Sequence, residues 1–570
     1  MKLKKDASEQ KINGRYFTPK PIADYVTDWV LDQNKPIKSI LEPSVGEGVF
    51  IESLTSYPEV LKTAKLLALE IDDEVSKAAA KKYKGLHWIK GWENLQVEKK
   101  AVINDDFYTA YKNGLNKAKY QAILGNPPYI RYQYLDEDQR EEQSSILTTN
   151  GMKSNKLINA WVSFTTACVS CMDDDSRIGL VVPAELLQVK YSEDLRRFLT
   201  NHLNRVTIIT FRDLVFEDIE QEVVLLLGEK IKNNDSHSIR IIQFDDAEQL
   251  IQGDLSSHDF FDADLTSTKW TKYFLDDDEL SIVQSAEKDP RFVLFSKIAK
   301  CEVGITTGNN DYFCVDRSTV RKYKLVKYCK PLIARSVNIR GAQFSKEDWD
   351  YNISVGAKTY LLDLTPFQRS KFNQGVLDYI AYGEEHEQNT TYKCEIRDEW
   401  YKVPSVWSPD AFFLRRNYLY PKFMLNTDDV NAVSTDTMHR VRFNDKKNYK
   451  RAVVAYYTSI ALLFSELEGR SYGGGVLEIL PREVGRILLP DIFGKYEISD
   501  KKIDKLFDTI DNYMRENDDV IDLLDIIDKE ILYGLMGIPM DEVLLYRKAW
   551  ISLRNRRLMR GGREATELDL

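Results

Sequence analysis

Over the first 245 positions, short apolar runs bounded by turns alternate with stretches whose apolar residues recur at helical spacing. Ser39-Ile40-Leu41, Leu66 to Ile71, Ala101-Val102-Ile103 and Gln121 to Leu124 read as short buried strands. Between Pro21 and Leu31, Ile22, Val26, Trp29 and Val30 fall on one helix face, with Thr18 placed to cap it. Arg177 to Pro183, Val206 to Phe211 and Val223 to Leu227 add strands, and Leu157 to Met172 reads as a buried helix. Strands alternating with helices predict an open α/β sheet with a Rossmann-like arrangement.

The pattern then changes. Asp245 to Pro290 carries acid, serine and aromatic residues with little period, which predicts a connection between domains. Beyond it, turn-rich segments at Val303 to Phe313 and Gly469 to Ile479 flank a mixed α+β region. From Ser499, Ile503, Leu506, Phe507, Ile510, Tyr513 and Met514 keep one apolar stripe, and Val520 to Leu532 reads as a second helix. The expected layout is therefore a catalytic domain over 1–245, a linker over 246–290, a further domain over 291–498 and a helical region over 499–570. The last basic stretch, Arg554 to Arg563, is expected to be disordered or to brush a polyanion.

Composition narrows the class. A chain of 570 residues with 43% hydrophobic and 29% charged positions is globular and too long for one ordinary core. No apolar run reaches membrane-spanning length, and no apolar segment follows the lysines at the N-terminus, so a chain without a membrane partner, working in the cytoplasm, is expected. Six scattered cysteines point to a reducing compartment. The lone Cys168-Val169-Ser170-Cys171 has no second pair and predicts a core helix, not a metal or redox site. The net charge of −10 leaves nucleic-acid binding open, because local patches decide it. Base is concentrated at Arg321-Lys322-Tyr323-Lys324 with Lys327 and Lys330. The acidic run from Asp136 to Glu142, within the polar stretch 130–156, is expected to be a mobile lid or a DNA-facing loop.

The candidate chemistry lies at strand ends. Gly46 and Gly48, after the first strand, allow a backbone to approach a ligand closely, although Ile51 stands where a dinucleotide fingerprint has its third glycine. Glu70, followed by Ile71, ends the second strand where an acid takes ribose hydroxyls. Asp106-Phe107, after the third of these strands, is suited to an adenine, the carboxylate to accept from its amine and the ring to cover the base. Asn126-Pro127-Pro128-Tyr129 is a proline-locked corner that offers the Asn126 side-chain oxygen and the Pro127 carbonyl, with Tyr129 as an aromatic face. Such a corner suits a planar exocyclic amine.

Tyr16-Phe17-Thr18-Pro19, Glu42-Pro43-Ser44-Val45-Gly46-Glu47-Gly48, Glu70, Asp106-Phe107 and Asn126-Pro127-Pro128-Tyr129, in this order, resemble the gamma class of DNA adenine-N6 methyltransferases of restriction–modification systems, typified by the TaqI modification enzyme. Many relatives carry Ala-Cys or Ala-Ala at Ser44-Val45. The resemblance implies a methyltransferase domain that binds S-adenosylmethionine, followed by a target-recognition domain. It implies Thr18, Glu42, Ser44 and Gly46 around the methionine part of the cofactor, Glu70 and Ile71 at its ribose, and Asp106 and Phe107 at its adenine. It further implies catalysis at Asn126, Pro127, Pro128 and Tyr129, stacking of a flipped base between Tyr129 and Phe216, and no metal. Double-stranded DNA and a separate cognate restriction endonuclease are the implied partners, with a monomer compatible. Cytosine N4, RNA, a protein glutamine, or a silent specificity subunit stay as alternatives.

Overall fold

The computed structural model describes residues 18–33, 35–95, 98–212, 222–263 and 269–559. The chain divides into two compact units, Met1–Phe274 and Leu275–Leu570.

The first unit is built on one ten-stranded sheet. Its strands are β1 (Ser39–Glu42), β2 (Lys65–Glu70), β3 (His87–Lys90), β4 (Lys100–Asn104), β5 (Tyr120–Gly125), β6 (Met172–Pro183), β7 (Arg205–Phe211), β8 (Val223–Lys230), β9 (Ser238–Phe244) and β10 (Phe261–Asp262). They lie in the order β10-β9-β7-β8-β6-β5-β1-β2-β4-β3. β3, β4, β2, β1, β5 and β6 run parallel, whereas β8 is antiparallel to both β6 and β7. The order reverses at β1, between β2 and β5, and ligands of open α/β sheets bind beyond the carboxyl ends at such a switch.

Helices cover the sheet: α1 (Lys20–Leu31), α2 (Val49–Leu54), α3 (Asp73–Ala80), α4 (Phe107–Lys112), α5 (Glu137–Thr149) and α6 (Ala160–Ser170) among them. The apolar face predicted for α1 is buried at Ile22, Val26 and Val30. Its close approach to β6 explains a glycine inside that strand, since a Cβ at Gly179 would lie 2.6 Å from Val26 Cγ1. Cys168 and Cys171 lie in and just after α6, and burial pushes both thiols up, Cys171 to about 12.

Three expectations for this unit are revised. Thr18 does not cap α1, whose N-cap is Pro19 with no side-chain hydrogen bond. The acidic run after Asp136 is not an open loop: Asp136 and Gln139 form a capping box that starts α5, which buries Gln143, Ile146 and Leu147. The region from 246 onward is no bare linker, because β10 pairs with β9 and the first unit extends to Phe274.

The second unit holds a five-stranded sheet, ordered Ala299–Val303, Met438–Phe443, Ala411–Leu414, Phe423–Asn426 and Gln343–Phe344, and a four-stranded one. Its C-terminal helices are Asp500–Glu516, Ile521–Asp528 and Met540–Met559. The last of these revises the reading of the basic tail up to residue 559. Arg554 and Arg557 are buried, and Arg557 makes two bonds to Glu466 while donating to the carbonyls of Tyr418 and Gly475. Gly475, at φ +75°, lets the Gly473–Gly475 turn meet this helix, with its own missing Cβ 3.4 Å from the Arg557 carbonyl oxygen. Removing one side of a buried ion pair strands the other charge. Arg557→Ala is therefore expected to cost the second unit about 3–5 kcal/mol, read as a lower urea midpoint.

Candidate active site

Beyond the carboxyl ends of β1, β2, β4 and β5 lies a cavity of about 450 Å³, a size typical of cofactor pockets (about 300–1,000 Å³). Each strand hands it a polar group, as the local sequence foretells. After β1 the chain turns through Gly46 and Gly48, at φ +53° and +80°, in the left-handed region that disfavours other residues. A Cβ built on Gly46 meets no atom within 4 Å, so this stretch of wall is bare backbone.

Glu70 closes β2 and organises that turn. Its carboxylate accepts from the Gly46 N–H at 2.9 Å and from the Asp72 N–H at 3.0 Å. Asn104, ending β4, donates to the Glu70 and Ile71 carbonyls at 3.1 and 3.0 Å, which ties the β2 and β4 ends together. Ile71 stands exposed at the cavity edge. Asp106 caps α4 through the Thr109 N–H at 3.0 Å and accepts from Gln139 Nε2 of α5 at 2.9 Å. Burial raises the Asp106 pKa, against the Gln139 and backbone bonds that lower it. Phe107, beside it, is stacked on Phe164 of α6 with centroids 4.1 Å apart.

The β5 end brings Asn126 to the opposite wall. Its Nδ2 donates to Thr18 Oγ1 at 3.1 Å, and the Ser44 hydroxyl donates to its carbonyl at 2.9 Å. Asn126 is thus tied at one point to Thr18, released from capping, and to Ser44, which precede it by 108 and 82 residues. Pro128 also lines the cavity, whereas Pro127 and Tyr129 are not part of its wall. The Tyr129 ring is buried, 6% exposed, and its hydroxyl donates to the Val181 carbonyl of β6 at 3.1 Å. Phe216 lies outside the described residues, as do Tyr16 and Phe17.

Glu42 sits behind the wall, not in it. Its side chain is fully buried, neither carboxyl oxygen has a hydrogen-bond partner among the described residues, and burial plus the nearby Glu70 push its pKa well above the carboxylate range. Unfolded, Glu42 ionises near about 4.3; folded, it keeps its proton above that. The folded state binds more protons, so stability falls as pH rises from that value through the folded pKa. Glu42→Gln is expected to flatten this part of the stability–pH curve and to raise the melting temperature at pH 8 above that of the parent protein. A curve that keeps its slope overturns the assignment.

Sequence reasoning missed Gln139 and Leu135 on the α5 side of the cavity. The signal was present as the Asp136-x-x-Gln139 capping pattern, but the run of charge around it suggested a loop.

The wall chemistry suits one kind of cofactor. Five carboxylates, Glu47, Glu52, Glu70, Asp105 and Asp106, line the cavity against two lysines, one of which, Lys82, is paired with Glu52 at 3.0 Å. An acid-rich pocket with an apolar slot at Ile71, Val75 and Phe107 fits a nucleoside that carries positive charge, as S-adenosylmethionine does. Among the described residues no group of three or more His, Cys, Asp or Glu side chains forms a metal cage. Likewise, none of the described helices is long and apolar enough to cross a membrane.

Fold and site define an S-adenosylmethionine-dependent methyltransferase. Two consecutive family descriptions match the chain: the Eco57I restriction-modification methylase over residues 55–216, and the C-terminal domain of the type II methyltransferase M.Eco57I over residues 267–532. Among curated proteins, the chain is 23% identical over 501 residues to the type II methyltransferase M.AccI of Acinetobacter calcoaceticus, covering 84% of this chain and 85% of that one. It is 30% identical over 255 residues to the type II methyltransferase M.HincII of Haemophilus influenzae, covering 44% of each. A solved nuclease-deletion mutant of the Type ISP restriction-modification enzyme LlaGI, in complex with a DNA substrate mimic, is similar at 13% identity and a TM-score of 0.48, over 88% of this chain and 55% of that one. The family descriptions and the curated relatives are type II restriction–modification methyltransferases, and this similarity supports a DNA methyltransferase.

Proposed function

We propose that this protein methylates the N6 amine of an adenine flipped out of double-stranded DNA, as the protective modification enzyme of a type II restriction–modification system in a bacterial cytoplasm. The observation that carries this reading is the Asn126 corner on the cavity wall, braced by Thr18 and Ser44.

An exocyclic amine is a poor nucleophile because its lone pair is delocalised into the ring. Asn126 accepts one of the amine's hydrogens, and the Pro127 carbonyl, which the arriving base must reach beyond the present cavity wall, accepts the other. Together they favour a tetrahedral nitrogen, so the pair localises as attack begins. Preorganised dipoles of this kind act where charge develops. The bond from Asn126 Nδ2 to Thr18 orients the amide, and the two prolines hold the backbone against rotation. When bound, S-adenosylmethionine supplies a methyl group already activated by its positive sulfur. Glu70 and Asp106 take its ribose and adenine in this reading, and Thr18, Ser44 and Gly46 its methionine end, with Glu42 behind them.

Within a duplex the amine is out of reach, so the base is everted. Tyr129 and Phe216 are the proposed stacking partners, which for Tyr129 requires its buried ring face to be uncovered when the base arrives. Tyr129→Phe keeps the face and loses only the bond to Val181; it is expected to retain most transfer, whereas Tyr129→Ala loses base binding. Equal activity in the two variants removes the stacking role.

The test of the whole reading is transfer of labelled methyl from the cofactor to duplex DNA, RNA and protein in parallel, with digestion of the labelled product to nucleosides. N6-methyladenine in DNA is the expected product. N4-methylcytosine would move the assignment to the other amine, label in RNA or protein would end the DNA reading, and no label at all would make the chain a silent specificity subunit.

A further inference from the structure

We infer that the segment 317–340 of the second unit is a docking surface for the phosphate backbone of duplex DNA. This inference rests on the proposed DNA substrate and adds which residues meet it.

The chain as a whole carries a net charge of −10, so a polyanion meets overall repulsion and needs a local cationic field. The 24 residues from Arg317 to Arg340 supply one: they hold eight lysines and arginines and no aspartate or glutamate. The segment runs through the short helix Arg317–Lys322, a turn at Val326–Tyr328, the strand Cys329–Ile333 and a turn at Ser336–Asn338. Val320, Leu325, Tyr328 and Leu332 pack into one core cluster, while Val326 and Val337 stand exposed among the cations. The cations are thereby pushed outward: Arg321, Lys322, Lys324, Lys327, Arg335 and Arg340 are all exposed.

These charges are uncommitted. None of the eight forms an ion pair among the described residues, whereas the neighbouring Lys346 and Lys358 pair with Asp350 and Asp311. The acids closest in effect are Asp363, which acts with Lys330, and Asp350, which shares the surroundings of Tyr360 with Arg317 and Arg321. Lys330 is only half exposed and is left out of the contact set. Aromatic faces hold several of the stems in place. Lys322 lies 4.9 Å from the Tyr323 ring centroid, Lys327 5.8 Å from that of Phe367, and Arg340 4.7 Å from that of Tyr351. A stretch of exposed cations that form no ion pair among the described residues, three of them held against aromatic rings, is suited to phosphates. Such contacts set affinity and salt dependence while carrying no sequence information.

The experiment measures binding of the full chain to a labelled duplex of about 30 base pairs between 50 and 200 mM salt. It compares the parent with Lys322→Gln/Lys324→Gln/Lys327→Gln and with Arg335→Gln/Arg340→Gln. A control, Lys501→Gln/Lys505→Gln, neutralises exposed lysines on the helix Asp500–Glu516. If three phosphates are lost, the slope of log K against log salt falls by about two to three, at about 0.9 per contact, and affinity at 100 mM drops at least about tenfold for cognate and unrelated duplexes alike. The second variant, with two contacts removed, is expected to lose about two-thirds as much and the control nothing. Cofactor affinity, which depends on the first unit, stays unchanged, and an unchanged urea midpoint of the second unit reports that the variants are folded. Parental slope and affinity in both segment variants, with methyl transfer to DNA intact, overturn the docking surface and leave the enzyme reading standing. A parent that binds duplex RNA in preference to DNA overturns the choice of partner, and a parent that labels no DNA overturns the underlying function.

Discussion

Asn126→Ala is expected to lower kcat for methyl transfer by about 10²–10³-fold, the loss typical of deleting one preorganised hydrogen-bonding group at a reacting centre. The dissociation constant of S-adenosylmethionine should change by less than about threefold, because the contacts assigned to the nucleoside come from the other wall, at Glu70 and Asp106. In the proposed mechanism the deletion removes an acceptor whose value grows as the amine becomes tetrahedral. It also removes the bond to Thr18. Thr18→Ala separates the two effects when measured at saturating cofactor, because Thr18 is also assigned to the methionine end: it leaves the Asn126 oxygen in place and loosens the amide, so a smaller fall in kcat is expected. Stopped-flow single-turnover kinetics with saturating cofactor reads the chemical step directly. An Asn126→Ala protein that turns over at the parental rate removes the residue from catalysis.

The second large effect is expected at Glu70. Glu70→Ala should weaken cofactor binding by about 100-fold or more, measured by calorimetry without any DNA present. The reason lies in the free protein as much as in the complex. One carboxylate holds the N–H groups of Gly46 and Asp72, and hydrogen bonds to a charged group contribute about 1.5–3 kcal/mol each. Without it, a turn built on two positive-φ glycines keeps its backbone bonds, Val45 N–H to the Leu69 carbonyl at 2.8 Å and Gly48 N–H to the Val45 carbonyl at 3.0 Å, and the ligand must supply the rest of the order. Glu70→Gln should be intermediate, since an amide offers one acceptor oxygen where the carboxylate offers two. Equal affinities for the parent and Glu70→Ala would mean that the turn is held by other means and that the carboxylate is not at the ribose.

These two experiments separate the halves of the site. The Glu70 variants fail in the absence of substrate, whereas the Asn126 variant binds its cofactor and stops at the chemistry. A protein in which both variants lose cofactor equally has one collapsed cavity and not two functional walls.

What local sequence determined is the inventory of strand ends. Strands β1, β2, β4 and β5 were legible because each is a short run of buried aliphatic residues, and a run of that kind has one environment wherever it sits. Gly46, Gly48, Glu70, Asp106 and Asn126 follow those runs directly, so their placement at the carboxyl edge came with them. The outer strands were harder. β3 is only partly buried, and β9 alternates in and out of the core, so neither stands out as an apolar run. Charge misled twice, at α5 and at the tail. Long charged side chains read as solvated until a partner is known, and the partners of Gln139 and Arg557 are Asp106 and Glu466, thirty-three and ninety-one residues away.

Only the tertiary structure decided how the inventory is wired. Periodicity cannot tell whether a threonine caps its own helix or accepts from an asparagine 108 positions later, as Thr18 does. Nor can it tell that Glu42 is sealed behind the wall its neighbours form, or that Tyr129 turns its hydroxyl toward β6. The reason is physical: burial of an apolar run is a property of nearby residues and is written locally, whereas a polar side chain takes its partner from whatever the folded sheet brings within 3 Å.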